Sequence, residues 1–135
     1  GVVIPYTKGS KGHSDGDVLI HSMVDAILGA LSLGDIGTFF PSNDLKWKDA
    51  NSQLFLEYAY SMLVDKQFKI ENIDATIILQ KPIINPYIKE MTNNIKSLLS
   101  LNIEQVSIKA TTTDKLGFLG KGEGIAAITS VLLSK

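Results

Sequence analysis

The sequence predicts an α/β fold of the α+β type: a single mixed β-sheet with three main helices stacked mostly on one of its faces. Three observations lead there. The 135 residues contain no linker, internal repeat or low-complexity stretch, which fits one domain with a sizeable core. Apolar residues recur at helical spacing in three segments and alternate with polar residues at a period of two in others. The order of segments is strand, helix, helix, strand, helix, strand, glycine-rich loop, strand, which one mixed sheet accommodates. Three helices are too few to cover both faces of such a sheet, so burial against further copies of the chain is expected.

Taken in order, Val2-Val3-Ile4-Pro5-Tyr6 reads as a strand already under way, followed by the polar loop Lys8-Gly9-Ser10-Lys11-Gly12. A helix then begins near Ser14, the expected N-cap. Asp15 and Asp17 put negative charge in its first turn, and Val18, Met23, Ile27, Leu28 and Leu31 recur on one side. Ser42 to Ala50 is polar and reads as a surface loop. Asn51 or Ser52 caps a second helix that repeats Leu54, Phe55, Tyr58, Met62 and Leu63 on one face. Ile73, Ala75, Ile77 and Leu79 alternate as a strand with one buried face. Asn85-Pro86 is a cap followed by proline, opening a third helix with Ile88, Met91, Ile95, Leu98 and Leu99 inward. Val106, Ile108 and Ala110 mark another strand. Ile125 to Leu133 is apolar on both faces, as in a central strand or one lining a subunit contact.

Composition narrows the function classes. A net charge of −1 offers no basic footprint for nucleic acid, and the absence of cysteine removes disulfides and Cys-based zinc sites. The longest apolar run, Ile125 to Leu133, is too short to span a membrane and is interrupted by Thr129 and Ser130.

Both histidines lie in the stretch from Gly12 to Leu31, with Asp15, Asp17 and Asp25 threaded between and after them. On a helix Asp17, His21 and Asp25 share one face, while His13 sits just outside the N-terminus, where unpaired N–H groups favour an anion. The local expectation is a divalent metal at His21 beside a phosphate at His13. A lone helix histidine is more often a surface or core residue, and no His-Glu-x-x-His pattern is present, so spacing alone names no enzyme. Asp17 and Asp25 suit either hydrogen bonding behind His21 or capping and structural pairing. Further on, Thr111, Thr112 and Thr113 offer hydroxyls to phosphate oxygens and Asp114 a hard ligand to magnesium, although threonine-rich strands are common for their β propensity. The glycines at 117, 120, 122 and 124 suit a turn as well as a phosphate cradle. They lack P-loop spacing, and a strand follows them, which disfavours a dinucleotide site.

Together, His13-Ser14-Asp15-Gly16-Asp17-Val18, Asp25-Ala26-Ile27-Leu28-Gly29-Ala30, Gly34-Asp35-Ile36-Gly37 and Phe39-Phe40-Pro41 closely resemble the 2-C-methyl-D-erythritol 2,4-cyclodiphosphate synthase family of the non-mevalonate isoprenoid pathway. Lys109 to Phe118 with Gly120-Lys121-Gly122-Glu123-Gly124 matches that family's second signature, in order and at the right distance. The resemblance runs from about Ile4 to the C-terminus. It implies a metal-dependent lyase in which a phosphate of a cytidine diphosphate substrate attacks the β-phosphorus and cytidine monophosphate leaves. It also implies a homotrimer with active sites between subunits, and no nucleic-acid or membrane partner. The runner-up is a phosphate- or nucleotide-binding module of the same fold without catalysis.

Residue by residue, the resemblance implies that His21 is the third zinc ligand and that His13 and Ser14 hold phosphate and methylerythritol hydroxyls. His13 and Thr112 are the transition-state stabilisers. Asp114, often Glu in relatives, takes magnesium or manganese. Asp35 and Gly37 take the ribose hydroxyls from the adjacent subunit, with Ile36, Phe40 and Pro41 counted beside them. Leu79, Gln80, Lys81, Pro82, Ile83, Ile84 and Asn85 form the cytosine pocket largely through backbone, with Thr111 and Thr112 closing it and Thr113 counted among the substrate-binding residues. Ile83 stands where relatives often carry Lys. Phe118 and Lys121 line the central channel, Lys121 in place of the commoner Arg. Family members carry, upstream of this point, a strand ending in an Asp-x-His motif that supplies two zinc ligands. Nothing here matches it, so residues 1–135 are expected to be one synthase domain lacking that strand. A polypeptide beginning at Gly1 is expected to bind cytidine nucleotide without retaining zinc or turning over. The implied location is a plastid for a eukaryotic source and the cytoplasm for a bacterial one.

Overall fold

The computed structural model describes residues 1–12 and 14–135. Helix α1 spans Val18–Ala30, and its N-cap is Asp17, whose carboxylate accepts from the Ile20 N–H at 2.9 Å. The expected cap, Ser14, lies three residues too early. Its hydroxyl is engaged with His21 instead, and Gly16 turns the chain with φ of 73° before the helix starts. Leu19, Ile20, Met23, Val24, Ile27 and Leu28 are the buried face of α1, which packs on a strand below it and on the second long helix.

A single turn, α2 (Ile36–Phe39), precedes a 3-10 turn at Leu45–Trp47 inside the polar loop. Helix α3 spans Ser52–Asp65 with Asn51 as its cap, accepting from the Gln53 N–H at 2.9 Å. Its buried face is Phe55, Leu56, Ala59 and Leu63; of the expected stripe Phe55 and Leu63 are buried, whereas Leu54 and Tyr58 are 54% and 48% exposed. Small Ala59 lets α3 approach the layer beneath. Tyr58 is turned to the rim of an aromatic cluster, its ring 5.4 Å from that of Phe40, which also stacks on Phe55 at 4.4 Å.

Strand β1 (Lys69–Ile78) alternates its burial from Asn72 onward, as the period of two requires. After it, Asn85–Tyr87 forms a 3-10 turn whose cap position is Ile84, so Asn85 opens the turn without capping it. Helix α4 (Ile88–Leu98) follows and buries Met91, Thr92 and Ile95. Strand β2 (Val106–Thr111), the short helix α5 (Gly117–Gly120) and strand β3 (Ala126–Ser134) complete the chain. Among the described residues the sheet has three strands in the order β2-β1-β3, with β1 parallel to β2 and antiparallel to β3. It is therefore mixed, as expected. Helix α1 covers β3 and α4 covers β2, both on the face carrying Ile73, Ala75 and Ile77. The opposite face presents Asp74, Lys109, Ile128 and Leu132; Ile128 and Leu132 are 64% and 62% exposed, and Lys109 pairs with Asp74 at 2.6 Å.

Val2 to Tyr6 is not a strand. Val2 and Ile4 are half-buried against the core, which explains the apolar alternation, but among the described residues no ladder partner runs beside them, and Pro5 offers no donor.

All three long helices end alike. Ser32, Gln67 and Ser100 take left-handed φ of 56°, 61° and 53°, and the next residue donates back into the last turn. Leu33 reaches the Leu28 carbonyl at 2.9 Å, Phe68 that of Leu63 at 3.1 Å and Leu101 that of Lys96 at 2.9 Å. Leu33, Phe68 and Leu101 pack on the core, so each stop is held by an apolar contact although no glycine marks it.

Candidate active site

Ile78 at the end of β1 is in register with Thr111 at the end of β2 and with Ala126 at the start of β3. The segments 79–85, 111–115 and 120–125 therefore emerge at one end of the sheet. Two cross-links tie the first pair: the Leu79 N–H donates to the Thr111 carbonyl at 3.0 Å and the Lys115 N–H to Gln80 Oε1 at 3.1 Å. A cavity of about 750 Å³ opens there, lined by His21, Lys8, Lys81, Pro82 and Gly122 to Ile125 among others. A neighbouring cavity of about 480 Å³ shares Gly16, Val18, Leu79 and Pro82 and adds Asp15 and Asp17. Leu79 and Ile84 bury their side chains and Ile83 is 77% exposed, leaving backbone groups with Gln80, Lys81 and Asn85 as the polar chemistry of that segment.

The threonine segment divides into exposed and structural hydroxyls. Thr113 donates to the Leu116 carbonyl at 2.7 Å and closes the loop. Thr112 Oγ1 accepts from the Asp114 N–H at 3.2 Å and lies 3.3 Å from the Asp114 carboxylate; both side chains are otherwise exposed. Asp114 and Lys115 adopt left-handed φ of 51° and 67° to reverse the chain. The glycine loop is a turn and a short helix. A Cβ on Gly120 would lie 2.3 Å from the Lys115 carbonyl carbon, so only glycine lets the two segments cross.

Around His21 the contacts are specific. Its Nε2 lies 2.8 Å from Ser52 Oγ and 3.1 Å from Ser14 Oγ. Ser52, wholly buried, donates its hydroxyl to Asp15 and its N–H to the other Asp15 oxygen at 2.8 Å. Burial pushes the Asp15 carboxyl up, but the two bonds from Ser52, a third from the Asp17 N–H and the nearby His21 outweigh it and hold the group below its ordinary value. Asp25, one turn beyond His21, turns away: its carboxylate accepts from the Ile36 N–H at 2.7 Å and pins α2 to α1. Asp35 caps α2, accepting from the Thr38 N–H and hydroxyl, each at 2.9 Å; these bonds hold its carboxyl below the ordinary value.

A model of the YgbB family matches residues 1–134. The chain belongs to that family. It is 52% identical over 135 residues to a Histophilus somni protein named 2-C-methyl-D-erythritol 2,4-cyclodiphosphate synthase, covering all of this chain and 83% of the relative. Among solved structures it is similar to the bifunctional IspDF of Campylobacter jejuni, with a TM-score of 0.95 and 47% identity; the match covers 98% of this chain and 36% of that one. It is also similar to Plasmodium falciparum IspF in a CDP complex, with a TM-score of 0.81 and 40% identity, covering 91% of this chain and 74% of that one.

In this YgbB-family chain the structure brings His21, Leu79, Lys81 and Pro82 to one cavity, and one hydrogen bond, from the Lys115 N–H, joins Gln80 to the loop that carries Thr111, Thr112 and Asp114. Asp35, Ile36 and Gly37 line neither cavity, and nor do Phe118 on α5, 63% exposed, and Lys121 just after it. Phe40 buries its ring in the aromatic cluster and Pro41 is half-buried beside it, so any contact of Phe40 with a ligand is through backbone. His13 lies outside the described residues. The sequence offers Ser52 only as a capping alternative to Asn51, because a hydroxyl at a helix start does not distinguish a cap from a partner of His21. Among the described residues no three of His, Cys, Asp and Glu converge as a metal shell. His21 fits one nitrogen ligand, because its Nε2 is backed by a hydroxyl and a carboxylate, as ligating histidines are. Asp114, an exposed carboxylate, fits a cation otherwise held by phosphate oxygens and water.

Proposed function

We propose that this chain converts 4-diphosphocytidyl-2-C-methyl-D-erythritol 2-phosphate to 2-C-methyl-D-erythritol 2,4-cyclodiphosphate with release of CMP, the reaction of a phosphorus–oxygen lyase. The observation that carries the reading is the 52% identity, along the whole chain, to a relative bearing that synthase name. An oxygen of the 2-phosphate attacks the β-phosphorus; a P–O bond forms there as the bond to the oxygen bridging the α-phosphate breaks, and CMP departs with that electron pair. The nucleophile is already an anion and needs no general base. The protein's task is to fold the substrate back on itself and stabilise charge as it moves between phosphates.

In this reading His13 and Thr112 donate to phosphate oxygens whose charge grows in the transition state, and Ser14 holds the methylerythritol phosphate. The backbone of 79–85 reads cytosine, with Thr111 and Thr112 closing the pocket; Asp35 and Gly37 take the ribose hydroxyls of a substrate bound mainly by an adjacent copy. Zinc or a similar divalent cation belongs at His21, and magnesium or manganese at Asp114. When bound, these ions neutralise phosphate charge and polarise the P–O bonds. A homotrimer is supported by the sheet face that carries exposed Ile128 and Leu132 opposite the helical layer, and by an Asp35 loop that lines neither cavity of its own chain. Phe118 and Lys121 then border the space between subunits.

Phosphorus NMR of the full-length protein with substrate and divalent cations tests the activity. Equimolar CMP and cyclic diphosphate are expected. Nucleotide binding without any CMP release would refute the reaction and leave the non-catalytic binding module. Leu132→Glu should convert a trimer to monomers in sedimentation; a parent protein that is monomeric and active would end the interfacial site.

A further inference from the structure

We infer that Asp15 and Ser52 are positioning residues that hold His21 in one tautomer, with Nε2 protonated and Nδ1 left as the ring's only lone pair. The argument is a count of protons. Ser52 has one hydroxyl proton, and it is donated to Asp15, a carboxylate that accepts three hydrogen bonds and is held ionised by them. Ser52 Oγ can therefore only accept from the imidazole nitrogen 2.8 Å away, which obliges Nε2 to carry the hydrogen. Ser14 Oγ, at 3.1 Å, accepts from the same N–H and keeps its own proton for a ligand. No hydrogen bond among the described residues engages Nδ1, and the ring borders the larger cavity. Ser52 is wholly buried at the start of α3, and Asp15 also takes its backbone N–H, so the chain of carboxylate, hydroxyl and imidazole is anchored to a helix and cannot swivel with the ring.

The functional consequence deepens the reading of His21 given above: an imidazole whose Nε2–H is fixed by Ser52 presents Nδ1 to a cation without having to change tautomer. The tautomer is read without substrate, so its failure and the failure of the proposed reaction are separate results.

Two-bond proton–nitrogen NMR of the His21 ring in the full-length protein, at mildly alkaline pH and with or without divalent cation, is the test. The parent should show a protonated-type Nε2 and an unprotonated or metal-shifted Nδ1. Ser52→Ala should lose that single form and give mixed tautomers. It keeps the helix cap, which is Asn51. Ser52→Thr should restore the parent pattern. Asp15→Asn should invert it. The amide must keep its oxygen on the Ser52 N–H, so its NH₂ meets the hydroxyl, whose proton then turns to Nε2 and drives the ring's own hydrogen to Nδ1. An Nδ1–H ring in the parent, or a Ser52→Ala ring indistinguishable from the parent, overturns the inference.

Discussion

Removing Asp25 should free the turn that carries Asp35. The carboxylate sits on α1 one turn past His21, and its single assigned partner is the Ile36 N–H at 2.7 Å, an unpaired donor at the first position of α2. A hydrogen bond to a charged acceptor contributes roughly 1.5–3 kcal/mol. Asp25 is exposed, so water recovers part of that in the variant, and the lower end applies. About 1.5 kcal/mol is about tenfold in the equilibrium between the closed and the opened turn. Amide exchange is the direct assay. In Asp25→Ala, the amides of Ile36 to Phe39 should exchange about tenfold faster, while those of buried Met23, Val24 and Ile27 keep the parent's rate. If Asp35 and Gly37 hold the ribose, KM for the cytidine substrate rises with kcat little altered. Unchanged exchange at Ile36 together with a lowered kcat would refute the reasoning and return Asp25 to the neighbourhood of His21.

Thr112→Val should lower kcat by about 10²-fold while changing KM little, because its hydroxyl would serve charge that develops only in the transition state; a rise in KM without loss of kcat would count against that role. Gln67→Gly should raise stability to denaturant by about 0.5–1 kcal/mol, since it removes left-handed strain that exceeds the added freedom of the unfolded chain; a lowered midpoint would contradict the account of the helix stops. Asp35 has a folded pKa below its unfolded one, so its stabilisation of α2 is complete above the ordinary carboxylate range and is lost as pH falls through the depressed value. Thr38 amide shifts should therefore stay constant on acidification to the ordinary carboxylate range and move only below it.

The fold was legible where one physical requirement dominates. Period-two burial in β1 and helical spacing in α1 follow directly from covering a core, and both are visible as apolar pattern. Legibility failed where two requirements compete. Leu54 and Phe55 are adjacent and similar in hydropathy, so the face of α3 is decided by what it meets: an aromatic rim takes Tyr58, and close approach selects Ala59. The helix stops were invisible for a related reason. Glycine is the residue that advertises a left-handed position, yet here Ser32, Gln67 and Ser100 occupy it, because burying Leu33, Phe68 and Leu101 behind the turn offsets a strain of about 1–2 kcal/mol each. Val2 to Tyr6 shows the converse: alternating burial without a ladder partner reads as a strand and is not one.

The candidate site divides along the same line. The motifs located its residues, but the roles of the three aspartates near His21 follow from backbone donors that the chain brings up from elsewhere. Asp17 meets the Ile20 N–H of its own helix and becomes a cap. Asp25 meets the Ile36 N–H of the next turn and becomes a tether. Asp15 meets Ser52, 37 positions away, and only there does a carboxylate stand behind the imidazole. Helical spacing placed Asp17 and Asp25 on the His21 face and left Asp15 aside, because spacing records direction and not which donors lack a partner. A buried donor must find an acceptor, and the nearest flexible carboxylate satisfies it before any imidazole does. The residue that orients His21 is therefore the one carboxylate that, beside a bond from the nearby Asp17 N–H, turns both oxygens to a distant hydroxyl and its N–H.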